Sequence, residues 1–148
     1  MQTVASLSLT SGPDTVARAL AWLKDVAAQQ GWSQASAFRL SLCMDEALSN
    51  ILMYGFPGRA EAGAIDLAAL QGPGVLAIDI VDDGVAFDPT LSVSPDLASS
   101  LDEAKVGGHG LRLMRHYLQG IQYRREHDRN LLRLILAVDA AGSQEIKP

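Results

Sequence analysis

Hydrophobic and polar positions in the first third of the chain change from the period of a strand to that of a helix. Val4–Leu9 alternates and predicts a first strand. Between Val16 and Ala27 apolar residues recur at spacings of three and four, which predicts a helix that ends at Gly31. Ser33 can cap a second helix, whose apolar stripe continues to Tyr54. This part of the chain therefore predicts one strand followed by two helices.

The middle of the chain predicts a hairpin and then a long connection. Residues 64–70 and 75–81 read as strands joined by Gln71-Gly72-Pro73-Gly74. The 19 residues 88–106 contain two prolines and four serines with only weak periodicity. Connections of this length in a compact domain are uncommon and often cover a site. We expect residues 88–106 to form a mobile lid.

The last third predicts one more helix and two closing strands. Residues 111–118 read as the helix, and residues 121–123 and 131–138 as strands around a turn near residues 127–130. Five strands and three helices in this order predict an α/β fold, a two-layer sandwich with helices on one face of a mixed, mostly antiparallel sheet. We expect a single domain over residues 1–138 and a C-terminal tail over 139–148.

Composition and charge narrow the class of protein. The 148 residues are 48% hydrophobic and 20% charged, as expected for a soluble globular domain. Twelve basic and seventeen acidic residues give a net charge of −5 without a basic cluster, so direct nucleic-acid binding is not expected. The chain lacks a signal-peptide pattern and an apolar run of the roughly 20 residues that a membrane span needs. With Cys43 as its single cysteine, expected to be a buried thiol, the chain is predicted to be cytoplasmic.

Two polar residues lie one turn apart on the second predicted helix. Glu46 and Asn50 are at positions i and i+4 and therefore project from one face. A carboxylate can take a proton from a hydroxyl, and a carboxamide oxygen can coordinate Mg²⁺. The alternative is a solvated polar pair, which the residues alone do not exclude.

An acidic residue ends the strand 75–81. Asp82 could be held at a pocket edge and accept a hydrogen bond from an exocyclic amine such as that of adenine, and Gly84 permits the turn that follows. The alternative is an ordinary hairpin, for which Asp-Gly is a common signal. Residues 85–89, Val-Ala-Phe-Asp-Pro, would make a poor partner strand.

A glycine run precedes the third predicted helix. Gly107, Gly108 and Gly110 surround His109 just before Leu111, and such backbone at a helix start suits phosphate oxygens. The dinucleotide fingerprint is not met, because Leu113 stands where it needs its third glycine. A flexible linker is the alternative. Neither His109 nor His116 has a second ligand at metal spacing.

Taken in order, three segments resemble the boxes of a known superfamily. The sequence E-A-L-S-N at 46–50, D-D-G-V-A-F-D at 82–88 and G-G-H-G-L-R-L-M at 107–114 is similar to the N, G1 and G2 boxes of the GHKL ATPases, which include gyrase, histidine kinases and MutL. The short chain and the form M-D-E-A-L-S-N resemble the bacterial anti-sigma-factor serine/threonine protein kinases of the RsbW and SpoIIAB type. Ala86 and Asn130-Leu131 depart from the pattern, which has a glycine and Gly-Thr there.

The resemblance implies roles for individual residues. Glu46 matches the general base, Asn50 the Mg²⁺ ligand within the nucleotide site, and Asp82, beside Gly84, the adenine-reading aspartate. The lid end that contacts phosphate would comprise Gly108, His109, Gly110 and Leu111.

The resemblance also implies an activity and its partners. ATP, with Mg²⁺, would donate its γ-phosphoryl group to a serine or threonine of a small STAS-type anti-sigma-factor antagonist. The same protein would sequester a sigma factor in a partner-switching system and would act as a homodimer. The alternative is a non-catalytic ATP-binding module of such a system. A histidine kinase is less favoured, because the chain has no room for a dimerisation helix pair that bears a phosphoacceptor histidine.

Overall fold

Antiparallel pairing joins the strands into one sheet. In the computed structural model, which describes residues 1–91 and 111–138, five strands pair in the order β1-β2-β3-β5-β4. The strands are β1 (Gln2–Thr10), β2 (Ala64–Gly72), β3 (Val75–Asp82), β4 (Gly120–Glu126) and β5 (Arg129–Ala137). The helices are α1 (Thr15–Gln30), α2 (Gln34–Tyr54) and α3, whose described part is residues 111–117. Every pairing in the described sheet is antiparallel, so the predicted fold class is confirmed.

The two long helices begin and end where their local chemistry predicts. Ser33 caps α2, and its Oγ accepts a hydrogen bond of 3.0 Å from the Ser36 amide. Gly31 ends α1 in the left-handed conformation at φ 72°, which glycine adopts without a Cβ clash. None of the helices in the described ranges is long and apolar enough to cross a membrane.

The core lies between the helices and one face of the sheet. Side chains alternate along a strand, and Ile78 and Ile80 of β3 and Leu132 and Leu134 of β5 are all buried on the helix side. Buried residues of the helices complete this core, among them Leu23, Leu40, Cys43, Met44 and Leu48. The same alternation brings the last residue of β3, Asp82, onto the helix side. Its partner in the β3–β5 register is a residue of the other strand, Asn130.

The closing hairpin differs from the predicted one. β4 extends over Gly120–Glu126 rather than 121–123, and β5 begins at Arg129 rather than 131. The turn lies within the predicted stretch, but the predicted strand bounds were wrong. The turn takes only His127 and Asp128, whose φ values of 53° and 61° match the twist of the strands without an Asn-Gly signal. The predicted lid beyond residue 91 and the predicted tail 139–148 lie outside the described residues.

Candidate functional site

A pocket opens between the C-terminal half of α2 and the ends of β3 and β5. Its enclosed volume is small, about 10 Å³, which is the space of a single water molecule. It is lined by Ala47, Asn50, Ile51, Asp82, Phe87, Pro89, Tyr123, Asn130 and Leu132. The fold therefore brings together Asn50 and Asp82, two predicted site residues from separate parts of the chain.

Asp82 has a buried carboxylate of which only one oxygen accepts hydrogen bonds from the described residues. Its side chain is 3% exposed, and its Oδ1 accepts hydrogen bonds from the Gly84 amide at 2.8 Å and from Asn130 Nδ2 at 3.0 Å. No described residue donates a hydrogen bond to its Oδ2. Buried polar atoms are normally hydrogen-bonded, so an N–H group of a ligand would complete this carboxylate.

The strand pairing of β3 distinguishes the two interpretations of Asp82-Asp83-Gly84, a carboxylate at a pocket edge or an ordinary hairpin. β3 pairs with β2 on one side and with β5 on the other, so the segment after Asp82 does not turn into a neighbouring strand. The hairpin alternative is wrong. Instead, the segment runs beside the pocket, where Phe87 and Pro89 line it.

Asn130 links the carboxylate to the segment that follows β3. Its Nδ2 donates to Asp82 Oδ1 and, at 2.8 Å, to the carbonyl of Val85. Its Oδ1 accepts from the Tyr123 hydroxyl and, at 3.3 Å, from the Phe87 amide. All four hydrogen-bonding positions of this buried amide are therefore filled.

Sequence reasoning missed Asn130, Tyr123 and Phe87 as residues of the pocket. A signal for one of them was present. Leu132, Leu134 and Leu136 form the inward-facing series of β5, and Asn130 continues that series with a polar side chain. A polar residue in an inward-facing position indicates a specific partner, but the partner itself lies on another strand.

Gly84 is required by a close approach of backbone rather than by the turn that the sequence suggested. A Cβ at this position would lie 2.4 Å from the carbonyl oxygen of Gly55, and the next amide, Val85, donates to the same oxygen at 2.8 Å. Ala86 occupies the position of a pattern glycine without strain, because its φ is not positive. The end of α2 and the end of β3 thus meet at Gly84.

Two arginines form hydrogen bonds with the segment after β3. Arg59 donates to the carboxylate of Asp83 at 3.2 Å, and Arg125 donates to the Gly84 carbonyl at 2.8 Å. Slight burial alone would raise the pKa of Asp83, but hydrogen bonds from the Ala64 amide and Arg59 lower it overall. These contacts hold the two residues that directly follow Asp82.

Glu46 and Asn50 are half-buried on α2, and their side chains make no hydrogen bond or ion pair with any described residue. The neighbouring Asp45, in contrast, accepts a hydrogen bond from Ser49 Oγ at 3.2 Å. Asn50 lines the pocket, whereas Glu46, one turn earlier, does not. Burial, followed by the negative charge of Glu46, raises the pKa of the buried Cys43 thiol to about 12.

The amide oxygen of Asn50 suits a Mg²⁺ ion that arrives with a nucleotide. Mg²⁺ bound to phosphates takes only one or two protein oxygens. Within residues 1–91 and 111–138 no three His, Cys, Asp or Glu side chains are grouped to hold a metal on their own. Of the four residues predicted at the phosphate end, Gly108, His109 and Gly110 lie outside the described ranges, and Leu111 is the half-buried first described residue of α3.

The fold and the sequence identify the family. A histidine kinase domain from the blue-light activated histidine kinase EL346 of Erythrobacter litoralis superposes with a TM-score of 0.51 at 18% identity, over 82% of this chain. This chain spans 58% of that one, and the likeness concerns the fold alone. The profile of the histidine kinase-like ATPase domain matches residues 9–136, and the chain belongs to this family.

A second relative has higher sequence identity to this chain. The serine/threonine-protein kinase BtrW of Bordetella bronchiseptica is 44% identical over 130 residues, which cover 87% of this chain and 90% of the relative. The predicted resemblance to GHKL-type serine/threonine kinases is therefore confirmed. BtrW carries the same class of activity that the sequence motifs predict.

Proposed function

We propose that this chain binds ATP in the pocket between α2 and β3 and transfers the γ-phosphoryl group to a serine or threonine of a protein substrate. The observation that carries the proposal is the buried Asp82 carboxylate, whose Oδ2 lacks a donor among the described residues, in one pocket with Asn50. Membership of an ATPase-domain family and 44% identity to a serine/threonine-protein kinase support it.

The base that suits this pocket is adenine. Its exocyclic amine donates a hydrogen bond, which Asp82 Oδ2 would accept. Guanine presents a carbonyl at the corresponding edge, so the buried carboxylate would face another acceptor and remain without a donor. Asp82 would thus select the nucleotide by the hydrogen bond that the wrong base cannot make.

The transfer step assigns separate roles to the two polar residues of α2. Asn50 would hold Mg²⁺, which neutralises phosphate charge when bound. Glu46 would orient the substrate hydroxyl and accept its proton while the hydroxyl oxygen bonds to the γ-phosphorus and the bond to the β–γ bridging oxygen breaks. ADP then leaves. Such a reaction depends on the positioning of the reacting groups and on charge. The Glu46 carboxylate, which is held on a helix and makes no hydrogen bond with a described residue, can supply both.

The substrate in this proposal is an anti-sigma-factor antagonist of the STAS type. The unphosphorylated antagonist would compete with a sigma factor for the chain, and phosphorylation would end that competition. The support is the motif resemblance together with the similarity to BtrW. We also propose that this chain forms a homodimer and is located in the cytoplasm.

Substitution of Glu46 tests the kinase. Glu46→Gln keeps the size and helix preference but removes the charge, so ATP·Mg²⁺ should still bind while transfer falls by roughly 10²-fold or more. Asn50→Ala should weaken Mg²⁺-dependent binding and transfer together. Binding is measured by calorimetry, and transfer by phosphoserine or phosphothreonine formation on candidate antagonists.

The matched control is Asp45→Asn, one residue away on α2, whose carboxylate is already bonded to Ser49. This variant should transfer phosphate at the native rate. If Glu46→Gln also transfers at the native rate, the role of Glu46 is wrong. A native protein that binds ATP and a sigma factor but never transfers phosphate would be a non-catalytic binding module.

A further inference from the structure

The amide of Asn130 has only one orientation that satisfies its surroundings. The Phe87 amide can only donate and the Val85 carbonyl can only accept. A flipped amide would place the Asn130 oxygen against a carbonyl and its nitrogen against an N–H group. The hydrogen bonds with Phe87 and Val85 therefore orient the Asn130 amide so that its N–H group donates to Asp82.

This orientation determines which oxygen of Asp82 remains available. Gly84 and Asn130 both donate to Oδ1, so rotation of the carboxylate would break two hydrogen bonds in a buried place. Oδ2 is left as the acceptor for a ligand. The bonds to Val85 and Phe87 also hold the segment that forms one wall of the pocket.

We propose that Asn130 is a positioning residue of the nucleotide pocket that sets its preference for adenine over guanine by fixing the Asp82 carboxylate and residues 85–87. The inference rests on the proposed nucleotide function.

The variant Asn130→Asp turns this arrangement into one that depends on pH. It places a second carboxyl group about 3.0 Å from Asp82 Oδ1, the distance of the present hydrogen bond. Two carboxylates so close cannot both ionise without a large penalty, and the pair retains a proton to a higher pH than either group alone. When that proton is present, the new side chain donates to Asp82 as the amide does. When the proton is lost, the two carboxylates repel each other.

Among the residues that the structure describes, few charged or titratable groups surround this position. Asp82 faces it from β3, Tyr123 and Arg125 from β4, and Asp88 interacts with Tyr123 from the segment after β3. Burial raises the pKa of Tyr123, so the phenol stays protonated between pH 5.5 and 8. The residues that α2 contributes to the pocket lining, Ala47, Asn50 and Ile51, are not titratable.

The test compares the affinity for ADP and GDP at pH 5.5 and pH 8 by calorimetry, in the native protein and in Asn130→Asp. At pH 8 the variant should bind ADP about tenfold or more weakly, and its preference for ADP over GDP should shrink. At pH 5.5 a large part of both losses should be restored relative to the native protein. A role in folding alone would weaken the binding of ADP and of GDP by the same factor at each pH and would leave the preference for ADP over GDP unchanged.

Tyr123→Phe serves as the second variant if Asn130→Asp is unfolded at pH 8. It removes one hydrogen bond to Asn130 and leaves Asp82 untouched, so ADP should bind a few-fold more weakly without a new pH dependence. Circular dichroism at both pH values verifies the fold. Native affinity and base preference in every variant that is folded at the pH of the measurement would overturn the proposal. If the native protein binds neither nucleotide, the proposed function itself is contradicted.

Discussion

At the scale of single residues, the candidate site depends on one point where two backbone segments nearly touch. The carbonyl of Gly55 at the end of α2 accepts a hydrogen bond from Val85, and the space beside it is too small for a side chain on Gly84. The contact holds the helix that carries Asn50 at a constant distance from the strand that carries Asp82. Glycine is needed at position 84 because it has no Cβ, and not because of its backbone flexibility.

Gly84→Ala should therefore weaken both the fold and nucleotide binding. Its Cβ would lie 2.4 Å from a backbone oxygen that cannot move without shifting α2, and a loss of about 1–3 kcal/mol in the free energy of unfolding is expected. Gly12→Ala is the control, because its Cβ would have nothing nearer than 3.8 Å and should change stability by less than about 0.5 kcal/mol. Urea unfolding and ADP calorimetry measure the two effects. Equal stability of the two variants would contradict this account.

At the scale of secondary-structure elements, the β4–β5 hairpin delivers two of the pocket residues. Seven residue pairs, from Gly120↔Ile135 to Glu126↔Arg129, join its strands and place Tyr123 and Asn130 toward the same face. The register is set by a turn of only two residues, both in the left-handed region. A slip of β4 by one residue would turn Tyr123 away from Asn130.

Replacement within this turn should raise stability. Asp128 has a φ of 61°, a conformation that costs glycine almost nothing, so Asp128→Gly should raise the free energy of unfolding by about 0.5–1 kcal/mol. Gly31→Ala is the opposite control. At φ 72°, with nothing within 4 Å of the added Cβ, it should lower stability by about 1 kcal/mol through backbone conformation alone. Urea unfolding of both variants at pH 7 is the measurement, and a destabilised Asp128→Gly would show that the aspartate is needed.

At the scale of the whole molecule, the polar pocket is built directly onto the main core. Cys43 is fully buried between the layers, one turn before Ala47 and three residues before Glu46, on the helix that carries the proposed catalytic pair. The pKa of its thiol is raised to about 12, first by burial and then by the charge of Glu46. Global stability and the electrostatics of the site are therefore coupled through α2.

The coupling predicts a loss of stability at high pH. In the unfolded chain the thiol ionises near pH 9, whereas in the folded protein it stays protonated to about pH 12. The contribution of Cys43 is thus fully present below pH 9 and declines as the pH rises from 9 toward 12, because only the unfolded chain gains the charge. Urea unfolding between pH 8 and pH 10.5 should show a steeper decline for the native protein than for Cys43→Ala. Parallel curves would contradict the assignment.

Much of the fold was predictable because it follows from local periodicity. The alternation along β3 and the stripe of α2 predicted the layers, and the caps Ser33 and Gly31 predicted the ends of the helices. Of the candidate site, Asn50 and Asp82 were predicted and do lie in one pocket. The roles of these two residues and of Glu46 stay predictions. The turn was expected near residues 127–130, but the ends of the two strands beside it were misjudged because residues 124–126 and 129–130 are polar and do not extend the apolar alternation.

The sequence by itself determined the elements, the order of the three motifs and the polar residues on α2, since these depend on neighbours within a few positions. Only the tertiary structure decided which distant groups meet. Asn130 reaches Asp82 across 48 positions through the β3–β5 register, and Gly84 meets Gly55 through the packing of α2 on the sheet. Register and close approach result from the burial of whole faces, and no short segment contains that information.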